Sequence, residues 1–319
     1  MQYRRVGRSG LKVSEISLGN WLTQGRSVDD ATTQQIVKRA FDLGVNFFDT
    51  ADIYTRGAAE TALGKAIKDI RRRDLVIATK CFWPMTDNAN DRGLSRKHII
   101  ESVHGSLQRL GTDYVDIMQF HRFDPETPVD ESIRAVEDLI RQGKVLYWGV
   151  SEWEADQIAE AHHIARETHC LAPICDQPLY NMLDRKVEDR ILPTCERLGM
   201  GLVVFSPLAQ GVLTGKYLPG HAAPEGSRGA DEAVSAFMKR YLEPEKLERV
   251  QKLKAYAEGK GTDLASFSLA WILRQPGVAS VIVGATKVSQ LENNVKASEL
   301  SFPAEVWNEA EEILYGPSS

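Results

Sequence analysis

Eight short apolar runs, each followed by a stretch of helical periodicity, constrain this chain more than anything else in it. The runs are EISLG (15–19), VNFFDTA (45–51), DLVIATK (74–80), YVDIMQFH (114–121), VLYWGVS (145–151), PICDQ (173–177), GLVVFSP (201–207) and SVIVGA (280–285). They are rich in β-branched and aromatic residues and apolar on both faces, the pattern of strands in a parallel sheet covered by helices. Between them, apolar residues recur at three- and four-residue spacing: Ile36, Val37, Ala40 and Phe41; Ile99, Ile100, Val103, Leu107 and Leu110; Ile133, Val136, Leu139 and Ile140; Val187, Ile191, Cys195 and Leu198. Ser95 and Asp130 stand where helix N-caps belong, and Gly44, Gly111 and Gly143 follow helix ends as left-handed C-caps do. Ahead of the first run, YRRV, a Gly-Arg-Ser-Gly turn and LKV read as a small hairpin.

Eight such units predict an α/β fold, a closed (β/α)₈ TIM barrel filling residues 1–319 as one domain, with the hairpin at its bottom. An open doubly wound sheet would carry G-x-G-x-x-G after its first strand, whereas this chain has SLGNWLTQG. The gap between the seventh run, ending at Pro207, and the eighth, starting at Ser280, is about twice a usual βα repeat. A long insertion is therefore expected after the seventh strand. GKYLPGHAAPEGSRGADEA (215–233), rich in Gly, Pro and Ala, reads as a mobile loop on the catalytic face that can cover a ligand.

The net charge of -5 is spread over interspersed residues of both signs, which argues against a nucleic-acid partner. No apolar run is long enough to span a bilayer, and MQYRRVGRSG lacks a signal-peptide core, so a cytoplasmic protein without membrane insertion is expected. Cys81, Cys170, Cys175 and Cys195 form no C-x-x-C pair and no metal-like spacing with histidine. Cys170 and Cys195 read as reduced thiols on helical segments, and no metal is expected.

In such a barrel the C-terminal strand ends ring the active site. Those ends carry Asp49, Lys80 and His121 after the second, third and fourth runs, with Tyr54 in the loop beyond Asp49. A carboxylate, an ammonium, an imidazole and a phenol on one rim suit protonation of a carbonyl oxygen. A free phenol titrates at about 10, so the Lys80 ammonium is expected to bring Tyr54 down, with Asp49 keeping Lys80 charged. His121 would orient the substrate oxygen or share its proton. No Ser-His-Asp or Cys-His set offers a nucleophile for the carbon, so a cofactor hydride fits. Singly, each residue has a plainer role: a turn, a packing ring, a loop cation, a buried histidine. Their arrival at one end of three adjacent strands favours the functional reading.

The motifs GVNFFDTADIY…E…LG, ATK, DIMQFHR, GVSEW, FSPLAQGVLTGKY and VIVGATKVSQLENNV occur in order across essentially the whole sequence. In them the chain resembles the aldo-keto reductases, most nearly the branch that includes the voltage-gated potassium channel β subunits. The resemblance implies a (β/α)₈ barrel, NADP(H) as cofactor, reduction of aldehydes or ketones, and a tetrad of Asp49, Tyr54, Lys80 and His121 with Tyr54 as general acid. It assigns cofactor contacts to Gly19, Asn20, Trp21 and Asp49, the nicotinamide carboxamide to Ser151 and Gln177, and the nicotinamide ring to Phe205. Ser206, Leu208 and Gln210 would follow the pyrophosphate, with Lys216 on a phosphate. Gly284, Thr286, Lys287, Gln290 and Asn294 match the adenine and 2′-phosphate site, although GATKVSQLENN alone is also a helix start with Thr286 as N-cap. The arginine of the family's Lys-Ser…Arg pattern for the 2′-phosphate is absent, which leaves NAD open beside NADP. GVLTGKY fails as a Walker motif, since no Ser or Thr follows Lys216.

Trp21, Tyr54, Phe82, Trp83, Met85, His121 and Trp153 would line a substrate pocket suited to aromatic or apolar aldehydes. The plainer alternative is that Phe82 and Trp153 only pack the barrel mouth. Two other functions stay open. One is a cofactor-binding regulatory subunit of the channel β type, against which the four intact positions and a start directly at the hairpin are expected to count. The other is a Schiff-base lyase using Lys80, against which Asp49 counts, because a paired carboxylate raises a lysine pKa. A homo-oligomer is compatible with any of these.

Overall fold

The computed structural model describes residues 1–21, 28–230 and 238–316. The antiparallel hairpin β1 (Tyr3–Arg5) and β2 (Lys12–Ser14) pairs Tyr3 with Ser14. Eight parallel strands then close into a barrel: β3 (Ile16–Gly19), β4 (Phe47–Asp49), β5 (Val76–Cys81), β6 (Val115–Phe120), β7 (Val145–Ser151), β8 (Cys175–Gln177), β9 (Gly201–Val204) and β10 (Val278–Val283), with β10 pairing back onto β3. The second run is strand only to Asp49, although hydrogen bonds to β5 continue past it. The N–H of Thr50 reaches Ala78 O and that of Asp52 reaches Lys80 O.

The hairpin plugs the N-terminal end. Arg8 N donates to Gly199 O, just ahead of β9. Val6 and Val13 pack with Phe47, Val76, Ile117 and Val203 inside the lower barrel. Each such fully buried side chain contributes about 1.5–3 kcal/mol. Along each strand the two-residue pleat alternates core and helix-facing positions. Phe47, Ala78 and Cys175 belong to the interior cluster. Asp49, Lys80 and Gln177 each follow two residues later, so the pleat brings them to one layer above it. That layer is the floor of the site.

Helices α1 (Asp30–Asp42), α2 (Ala58–Ile67), α3 (Arg96–Leu110), α4 (Val129–Arg141), α5 (Ala155–Glu167) and α6 (Ile191–Leu198) wrap the strands. Ser95 caps α3, its hydroxyl accepting from His98 N at 3.3 Å, and Gly111 ends it at φ 65°. Asp130 does not cap α4. The helix starts earlier, with Pro128 at the N-cap, and Asp130 lies in its first turn, where a carboxylate meets the positive end of the helix dipole. Cys195 lies on α6, whereas Cys170 lies beyond the end of α5. Among the described residues, no helix is long and apolar enough to cross a membrane. Between β9 and β10 the described residues hold 3₁₀ turns at Ala209–Thr214, Arg228–Ala230 and Lys239–Tyr241 and the helices Pro244–Gly259 and Leu264–Leu273. Residues 231–233 of the inserted loop, and 22–25 of the segment after the first strand, lie outside the described residues.

Candidate active site

Lys80 is wholly buried and spends each ammonium hydrogen. It donates to Asp49 Oδ2 at 2.6 Å, to Thr50 O at 2.8 Å and to the Tyr54 hydroxyl at 3.2 Å. The second Asp49 oxygen accepts from Gln177 Nε2 at 2.8 Å, and Ser151 Oγ holds the Gln177 carbonyl at 2.9 Å. Removing one partner of a buried pair such as Lys80–Asp49 costs about 3–5 kcal/mol, because the other charge is stranded.

Tyr54 reaches this layer from a strained turn. Thr55 and Arg56 both stand at φ 51°, in the left-handed region that side chains disfavour, and Gly57 follows at φ 89°. A Cβ on Gly57 would come within 2.6 Å of the Arg109 side chain, which packs beneath the turn and donates to Glu60 Oε2 at 2.6 Å. Strain at two consecutive non-glycine residues costs on the order of 1–3 kcal/mol each and persists only where the surroundings enforce it. His121 follows β6, its ring edge-on to Tyr54 with centroids 5.8 Å apart.

Burial holds the Tyr54 phenol above its usual range, and the opposing pull of Lys80 does not overcome it. The sequence-based expectation of a lowered phenol pKa is thus corrected: in the free protein Tyr54 is a protonated acid. Burial alone would lower Lys80, but Asp49 and then Tyr54 pull it up to a net rise. His121 is held well below its usual value by burial and by the Lys80 and Arg122 charges, so its imidazole is neutral near pH 7.

A cleft of about 530 Å³ opens over this floor. Among its lining residues are Gly19, Trp21, Asp49, Tyr54, Gln177, Phe205, Ser206, Leu208, Gln210, Lys216, Gly284, Thr286, Gln290 and Asn294. Its wall after β9 is a run of unusual backbone, with Ser206, Ala209 and Gln210 at φ 54°, 47° and 58°. Gln210 links two of the elements, donating to Ser206 Oγ at 2.7 Å and accepting from Arg228 Nη1 at 2.6 Å. Lys216 folds back so closely that its Nζ would lie 3.3 Å from a Cβ at Gly211. Neither Lys216 nor Arg228 has a carboxylate partner among the described residues.

Comparison with known proteins agrees with this geometry. Residues 15–315 match the model of the aldo/keto reductase family. The chain belongs to the aldo/keto reductase family. Two similar proteins, from Oryza sativa subsp. japonica and Arabidopsis thaliana, are each named "Probable voltage-gated potassium channel subunit beta". Both are 46% identical over 303 residues, covering 94% of this chain and 92% of the relative. The branch suggested by the sequence motifs is therefore the one these relatives occupy.

Within this aldo/keto reductase fold, some expected site residues stand apart from the cleft. Asn20 is buried and donates to Ala59 O at 3.0 Å, tying the first strand end to α2. Ser151 acts on the cleft only through Gln177. Lys287 is exposed and is the N-cap of the helix Val288–Val295, while Thr286 uses its N–H on Gln290 Oε1 at 2.8 Å rather than capping. Phe82, Trp83 and His121 lie outside that lining as a chain of edge contacts, Phe82 to Trp83 at 5.1 Å and Trp83 to His121 at 6.3 Å. Met85 is half-buried in the same loop. Of the two readings for Trp153, the structure has the packing one: it is 1% exposed, against Phe120 and Phe123.

Arg228 is the residue that sequence reasoning missed. The inserted loop brings Gly226, Ser227 and Arg228 into the cleft wall. The signal available was a second cation, after Lys216, in a Gly- and Pro-rich loop on the catalytic face, with nothing in the sequence to say where it lands.

Proposed function

We propose that this chain is an NADP(H)-dependent reductase of aldehydes or ketones. The observation that carries the reading is the Lys80 ammonium bonded at once to Asp49 and to the protonated Tyr54, on the floor of a cleft. The cleft's residues fit a dinucleotide phosphate. Among the described residues neither the exposed Lys216 nor the half-buried Arg228 has a carboxylate partner, and Arg228 is held above Gln210 in a region where burial lowers its pKa. An uncompensated buried cation calls for an anion. Phe205 offers a ring face and Gln177 an amide beside the acid.

When bound, the cofactor supplies a hydride to the carbonyl carbon. Tyr54 gives its proton to the carbonyl oxygen, and Lys80 stabilises the phenolate left behind, itself kept charged by Asp49. Neutral His121, edge-on to the Tyr54 ring, orients the same oxygen. The raised Lys80 pKa disfavours the neutral amine that a Schiff-base lyase needs. A second reading follows from the relatives' names: a cofactor-binding subunit of a potassium channel. NADPH oxidation with a panel of aromatic and aliphatic aldehydes, alongside fluorescence titration of NADPH, separates them. Turnover is expected; tight NADPH binding with no turnover on any member would favour the subunit.

A further inference from the structure

Outside the cleft lining stands a cation that the tetrad leaves unused. The Arg122 guanidinium carbon lies 5.6 Å from the centroid of Trp83, whose ring is edge-on to His121. Trp83 is 38% exposed, so this group lies at the surface, tied to the reacting groups through His121. Its charge is felt at the reacting groups, where it stabilises the Tyr54 phenolate and disfavours a charged His121.

Arg122 makes one hydrogen bond, from Nη1 to the carbonyl of its own neighbour His121 at 2.5 Å, and no ion pair among the described residues. The carboxylates around it are otherwise engaged. Glu152 accepts from Leu179 N at 2.7 Å, and Glu154 accepts from Lys186 Nζ at 3.0 Å. Asp176 is fully buried, its side-chain oxygens have no partner among the described residues, and burial pushes its carboxyl well above the usual range. A half-buried guanidinium over the face of an indole, with most of its donors unspent among the described residues, lacks the planar anion its fork matches.

We propose that Arg122 determines substrate specificity by binding a carboxylate, so that the preferred substrates are carbonyl compounds carrying a carboxylate across an aromatic or apolar spacer that lies on Trp83. The carbonyl half of this statement rests on the reductase reading; the carboxylate half does not. It sharpens the expectation of apolar aldehydes by adding a charge at the far end.

The test uses 4-carboxybenzaldehyde and its methyl ester with NADPH. The native protein should favour the acid by about tenfold or more in kcat/KM, mostly through KM, as a charge-assisted bidentate contact implies. In Arg122→Gln the acid-to-ester ratio should fall towards one, and in Arg122→Lys, which keeps the charge but not the fork, it should lie between. Without any variant, benzoate should compete with the aldehyde and benzamide should not. No preference in the native protein, or the same preference in Arg122→Gln, would overturn the proposal. If neither aldehyde turns over, calorimetric titration of 4-carboxybenzaldehyde into the NADPH-loaded protein still decides. Binding that weakens about tenfold in Arg122→Gln supports the carboxylate site and places the failure on the reductase reading alone. Equal binding by both proteins sinks the site.

Discussion

The two ends of the barrel treat buried charge differently. At the bottom, Arg4 donates to Glu15 Oε1 at 2.5 Å, to Val278 O at 2.9 Å and to Leu273 O at 2.7 Å, clamping the hairpin to the start of β10. Every direction of that guanidinium is spent on the protein itself. At the top, Lys80 is also saturated, but its longest bond, 3.2 Å, goes to a phenol that can give up its proton. Around it the half-buried Arg228 and Arg122 keep donors in reserve among the described residues, beside the exposed Lys216. A cation whose donors all end on its own chain is structure. One that is desolvated with donors unspent marks a place for something else.

Lys80→Met is the hardest blow to this contrast. It should lower kcat by about 10²–10⁴ through loss of proton transfer, and destabilise the fold by about 3–5 kcal/mol by stranding Asp49. Arg4→Met should cost a similar 3–5 kcal/mol by stranding Glu15, yet leave kcat alone. Urea unfolding beside steady-state kinetics checks both, and an Arg4→Met protein that folds but has lost kcat would break the division between the two ends.

Asp52 sharpens the contrast from within the top. It is buried, accepts from Ser102 Oγ at 2.7 Å, and burial pushes its pKa up to about 7. Between about pH 4 and 7 the folded state therefore holds a proton that the unfolded chain releases, so stability falls as pH rises through that window, by up to about 4 kcal/mol. Asp52→Asn keeps an acceptor for Ser102 and should flatten this dependence, giving a protein more stable than the native one at pH 8. Unfolding curves at pH 5 and pH 8 that shift in parallel for both proteins would contradict it. A smaller effect is expected at the cleft wall. Arg228→Gln should weaken NADPH binding by about 10- to 100-fold while changing NADH binding less, consistent with a contact to the extra phosphate. Equal losses for both cofactors would assign Arg228 to the shared pyrophosphate instead.

The barrel was legible because its signal is periodic. Asp49 and Lys80 could be placed at strand ends from DT and ATK alone, since the apolar run stops there and the pleat fixes the facing. What the pattern could not carry is distance across the fold. Asp130 and Thr286 look like caps in one dimension, but the backbone turns elsewhere, at Pro128 and Lys287. Arg228 reaches the cleft only because an aperiodic loop folds back over Gln210. The direction of the Tyr54 shift also needs three dimensions, because composition shows the lysine that would lower it and not the burial that outweighs it. Trp153 and Trp83 read alike in the sequence, yet one packs against Phe120 and Phe123 while the other is exposed at the surface.

The most direct test of the account is Tyr54→Phe, assayed for NADPH oxidation by a reducible aldehyde and, separately, for NADPH affinity by fluorescence. The ring that packs by Trp21 and His121 survives the change, and the proton does not. Turnover should fall by about 10²–10⁴ with the NADPH dissociation constant nearly unchanged. Full turnover in the variant would contradict the assignment of Tyr54 as the acid.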